Sequence, residues 1–109
     1  MIQYSWIIPQ DAFEVYPSED GLTNVVKYIK WIRKAENVDG DVTYIAENNA
    51  TFICGQPDPN NYTPYENLTE EIVISWLESG LNMQTIDGAL ANDIANQMLP
   101  KTEVLPNPF

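Results

Sequence analysis

Histidine is absent from this 109-residue sequence, and cysteine occurs once, at Cys54. Without histidine there is no Ser-His-Asp triad and no Cys-His pair. A zinc site built on histidine or paired cysteines is excluded as well. One thiol cannot close an intramolecular disulfide. Basic residues are also scarce: five against 16 acidic ones, for a formal net charge of -11. Nucleic-acid affinity comes largely from neutralising phosphates with Lys and Arg, so the composition predicts no nucleic-acid partner. No apolar run nears the roughly 20 residues that cross a bilayer, and no membrane partner is expected. The opening MIQYSWII lacks the basic start of a secretory signal. Neither GxGxxG nor a P-loop is present, and no cofactor is expected.

Carboxylates are the catalytic groups that remain. Glu70 and Glu71 are adjacent on a predicted helix and point apart. Asp87 and Asp93 lie six apart, off a common face. No pair has the spacing of two carboxylates across a cleft. The phrase Asp58-Pro59-Asn60-Asn61 gathers oxygens, but lacks the charge count and spacing of an EF-hand loop. Asn49-Ala50-Thr51 and Asn67-Leu68-Thr69 match the glycosylation sequon, yet the second reads as a helix cap. Cys54 ends an apolar strand and reads as a small core residue. The expectation is a non-enzymatic protein.

What the sequence does hold is patterned. Ile2, Tyr4, Trp6 and Ile8 alternate with Gln3 and Ser5, which predicts a strand with one buried face, closed by Pro9. Residues 12–16 form a short run before Pro17, and Asp20-Gly21 reads as a turn. The segment 23–35 is rich in β-branched and aromatic residues, which favours a central strand over a helix. Val38-Asp39-Gly40-Asp41 supplies a hairpin turn. Residues 41–47 and 51–54 read as one return strand or as two, broken at Asn48-Asn49. Residues 55–64, with three prolines, form a loop. Thr69 then caps a helix that carries Glu70 and Glu71 in its first turn and staples Leu68 to Val73. Ile72, Val73, Trp76 and Leu77 make its apolar stripe, and Gly80 sits where a C′ glycine belongs. Ile86, Leu90, Ile94 and Met98 line a second helix, ended by Pro100.

Together these readings predict an α+β fold. Its parts are an antiparallel β-meander of three or four strands, a C-terminal αα-hairpin packed on it, and an extended Pro-rich tail. Residues 1–100 form one domain and residues 101–109 an arm. In KTEVLPNPF the two prolines favour an extended path that presents Val104, Leu105, Pro106, Pro108 and Phe109 as candidate partner contacts. Four of the five basic residues fall within eight positions: Lys27, Lys30, Arg33 and Lys34. They read either as a basic strip for an acidic partner or as a solvated strand face.

The stretch Pro64-Tyr65, Leu68-Thr69-Glu70, Val73 and Trp76, with Trp6 upstream and Pro108-Phe109 downstream, resembles a group of short virion-associated proteins of tailed phages, especially cyanophages. The pattern PYxxLTExxVxxW carries the resemblance, which runs over nearly the whole chain. It departs at Gly80, one position from the usual Leu-Gly link, and at Phe109, where tryptophan is common. The resemblance implies a minor structural protein of the virion, assembled in multiple copies with other phage structural proteins. A small acidic regulatory or chaperone-like protein, absent from the particle, is the alternative.

Overall fold

The structure, a computed structural model, describes residues 1–55 and 62–109. Residues 56–61, with the Asp58–Asn61 phrase and most of the predicted proline-rich loop, lie outside the described residues. Among the described residues, four strands, a single 3-10 turn and two α-helices follow in order: β1 (Ile2–Ile7), β2 (Phe13–Glu19), β3 (Leu22–Asp39), β4 (Val42–Ile53), the 3-10 turn (Tyr65–Asn67), α1 (Glu70–Gly80) and α2 (Met83–Gln97). The fold is α+β: a four-stranded antiparallel sheet with two C-terminal helices.

β3 organises the sheet. It is 18 residues long, rich in the β-branched and aromatic residues that suit a pleated surface. Tyr28 and Ile29 pair with β2 on one side and β4 on the other, while residues 32–37 pair with β1 and β4. β1 and β2 therefore lie end to end along one side of β3, and β4 alone takes the other. The β2–β3–β4 run is the predicted meander; β1 joins it beyond β2 rather than beside it.

The turns follow local chemistry. Asp20 (φ 52°) and Gly21 (φ 80°) link β2 to β3, the left-handed pair that a two-residue hairpin loop needs. Gly40 (φ 61°) and Asp41 link β3 to β4. β4 is continuous through Asn48 and Asn49, because β3 supplies a partner at each step. β2 passes the predicted stop at Pro17. It is an edge strand, where a missing N–H is tolerated; the pairing skips Pro17 and resumes at Ser18.

Alternation sends one set of side chains toward the helices. Val26, Ile29 and Trp31 meet Val73 and Leu77 of α1, with Trp6, Phe13, Val15 and Phe52 packed around them. Ala35 and Ala46 meet Leu90 and Ile94 of α2. Lys27 is an extra residue on β3 between the Glu14–Tyr28 and Val15–Val26 pairs, and this bulge brings Val26 and Ile29 to one face although they lie three apart. α1 starts as the sequence predicts, at Thr69, and α2 is capped in the same way by Asn82. Thr69 Oγ1 accepts from Ile72 N at 3.2 Å, and Asn82 Oδ1 accepts from Thr85 N at 3.1 Å.

Gly80 departs from its predicted role. It closes α1 itself, and Leu81 is the cap residue, with φ -104°. Its lack of a side chain serves packing, since a Cβ there would stand 2.5 Å from the Phe52 ring. The chain is elongated: its radius of gyration is 19.8 Å, against about 13 Å for a compact body of this length.

Candidate functional site

The clustered basic residues do not form one strip. In a strand, successive side chains point to opposite faces, so Arg33 turns to the helices with Trp31 and Ala35, while Lys30 and Lys34 turn away. Arg33 is 8% exposed. Its Nε and Nη2 donate to Asp87 Oδ1 and Oδ2 of α2 at 3.0 and 3.1 Å. The guanidinium also sits 5.4 Å from the Tyr4 ring centre and 4.7 Å from that of Trp6. A buried, bidentate, ring-stacked arginine is a structural clasp between β3 and α2. It offers nothing to an external partner, which corrects the expectation placed on it. Lys27 is similarly engaged, 3.1 Å from Glu19 and over the Tyr16 ring. Lys30 makes an exposed pair with Asp11 at 3.4 Å, of the kind that contributes little. Lys34 has no ion pair among the described residues and neighbours Glu47 across the ladder.

The clasp is the part of the core that sequence reading missed. Trp6 joins it twice, packing edge-on against Trp31 at 5.6 Å and donating through Nε1 to Glu78 Oε2 of α1 at 3.2 Å. Trp31 Nε1 is buried without a hydrogen-bond partner among the described residues. The available signal was parity: Arg33 shares a face with Ile29 and Trp31, which are core residues.

Three surfaces remain open. The first is the arm. Residues 101–109 are exposed throughout and lie outside helices and strands. Val104 and Phe109 are fully exposed and Leu105 is 75% exposed; Pro106 and Pro108 are exposed with them. The second is the sheet face opposite the helices, where Ile7, Ile45 and Ile53 are exposed at 40%, 44% and 71%. The third is an open groove of about 480 Å³ between the β1–β2 link and α1, lined by Ile8, Phe13, Tyr65, Leu68 and Val73 with Glu66 and Glu70 at its mouth.

No group of three His, Cys, Asp or Glu side chains among the described residues is placed to hold a metal ion. Burial pushes the Cys54 thiol up from its ordinary pKa, partly opposed by the charge of Lys27, which holds it protonated and slow to react at neutral pH. No described helix is long and apolar enough to cross a membrane. Exposed apolar side chains thus lie on the arm and on the open sheet face.

Comparison with curated proteins and with solved structures yields no match to this chain. A family model does match, over residues 1–109. The chain belongs to that family, described as a domain of unknown function, DUF7936.

Proposed function

We propose that this protein is a minor structural protein of a tailed-phage virion. It acts as a non-enzymatic binding module, a capsid decoration (cement) protein or an attachment domain at the neck or tail. The observation that carries the reading is the arm: Val104, Leu105 and Phe109 stand in solvent on a segment stiffened by Pro106 and Pro108. Exposed apolar groups on a stiff segment suit docking, because little conformational freedom is lost on binding. The resemblance carried by Pro64-Tyr65, Leu68-Thr69-Glu70, Val73 and Trp76 supports the virion setting. The long β4 edge supports it too, since an edge can accept a strand from a neighbour.

The test has two parts. Mass spectrometry of purified particles gives the copy number, and stoichiometric presence is expected. A chain lacking residues 101–109 is expected to lose incorporation. Unchanged incorporation removes the arm's role, and absence of the intact chain from particles removes the virion reading. A net charge of -11 favours one second reading, an acidic regulator that occupies a basic surface during infection. Absence from particles is its expected result.

A further inference from the structure

The two sides of the sheet end differently. Along one, β1 and β2 are six and seven residues long. Pro9 follows β1 and Pro17 sits inside β2. Short strands and prolines are devices that keep a sheet edge from pairing. Along the other side β4 runs 12 residues with a register that never shifts. It holds no proline, glycine, lysine or arginine, and its one charged residue is Glu47.

Alternation decides which groups of β4 face outward. Asp39 and Val42 flank the two-residue turn, a position whose members exchange both hydrogen bonds. Even-numbered residues of β4 therefore bond to β3, and odd-numbered ones turn their N–H and C=O to the free side. Two contacts agree with this parity. Cys54 N donates inward to Lys27 O, and Gln97 Nε2 donates to the outward Ile45 O, both at 2.9 Å. Gln97 covers that one carbonyl. Residues 47–51 are exposed without exception, and the outward groups of Glu47, Asn49 and Thr51 have no partner among the described residues.

The arm carries the complementary pattern. Pro106 and Pro108 share one parity. When extended, the arm keeps the N–H groups of Lys101, Glu103, Leu105 and Asn107 on one edge, while proline blunts the other. The Phe109 N–H donates locally to Asn107 Oδ1. Such a segment can add to a sheet through its odd residues and presents a broken ladder to any strand beyond. Its reach, on the order of 30 Å, covers the open stretch 47–53 of β4, about 23 Å long. It stands off its own body, exposed at every residue. Charge also fits: the arm carries one Lys and one Glu, so two acidic copies meet through their least charged parts.

We propose that the arm of one copy adds as a fifth, antiparallel strand to the outer edge of β4 in a second copy. In that arrangement residues that exchange hydrogen bonds share a face. Leu105 and Phe109 then come down on the open side of the sheet, beside the exposed Ile45 and Ile53. This deepens the binding-module reading and rests on its assignment of the arm, though not on a virion origin.

The experiment uses the purified full chain, with sedimentation equilibrium and residue-level amide exchange over a range of concentrations up to about 1 mM. Association is expected to rise with concentration, and exchange at Glu47, Asn49 and Thr51 to slow by about tenfold or more as it does. Glu103→Pro removes an N–H from the pairing edge and is expected to abolish association. Thr102→Pro, on the blunted edge, and Glu103→Gln, a charge control, are expected to spare it. Thr51→Pro removes an outward N–H without touching the β3 ladder and is expected to act like Glu103→Pro.

Equal effects of the Thr102 and Glu103 proline variants overturn the strand pairing. A chain that stays monomeric at every concentration overturns the second copy as occupant, and slowed outward amides in that monomer assign the edge to the chain's own arm. If arm deletion prevents particle incorporation while the pure chain stays monomeric, this inference falls and the arm's role in the particle stands. Self-association of a chain missing from particles does the reverse.

Discussion

In the body, Ile29, Leu77, Leu90, Ile94 and Val73 are almost completely hidden; in the arm, Val104 and Phe109 are wholly in solvent. Both regions hold large apolar side chains, so hydrophobicity alone does not separate them. Backbone hydrogen bonding does. In the body every strand finds a ladder and both helices are capped, which lets a period of two or of 3.6 collect apolar groups on one face. In the arm Pro106 and Pro108 remove donors and forbid a helix, and its apolar groups Val104, Leu105 and Phe109 lie exposed.

The contrast can be broken first from the body's side. Leu77→Ala empties the centre of the α1 contact and is expected to cost about 2–5 kcal/mol, measured by denaturant unfolding. A smaller loss is expected from Asp87→Ala, which leaves Arg33 under α2 without its carboxylate. Because Asp87 keeps a quarter of its side-chain exposure, the expected cost is about 1–3 kcal/mol. The smallest pair compares two helical glycines. A Cβ at Gly88 meets nothing within 4 Å, so Gly88→Ala should stabilise by about 0.5–1 kcal/mol. Gly80→Ala meets the Phe52 ring and should destabilise by about 1 kcal/mol once the gain in helix propensity is offset. Equal and favourable shifts at both positions would show that Phe52 yields freely.

Those same residues mark how far the sequence could be read. The parity of β1, the Asp20-Gly21 and Gly40 turns and the Thr69 cap are local, and each was visible in a few adjacent residues. The role of Gly80 was not, because Phe52 lies 28 positions away in sequence and reaches it only through the fold. The Arg33 clasp is half legible: parity places Arg33 with Ile29 and Trp31, but its carboxylate, Asp87, lies 54 residues downstream. A cluster of charges in sequence says nothing about faces until strand and bulge are placed. The end-to-end placement of β1 and β2 was likewise hidden, since nothing in Ile2–Ile7 says which part of β3 it will choose. The spacing of the arm's prolines, by contrast, belongs to the sequence itself.

The separation of body from arm is tested most directly by denaturant unfolding of the whole chain and of residues 1–100, both dilute enough to be monomeric. Equal midpoints and equal slopes are predicted, since every residue of the arm is exposed. A lower midpoint for the shortened chain would contradict the account, because the arm would then belong to the core it is said to leave.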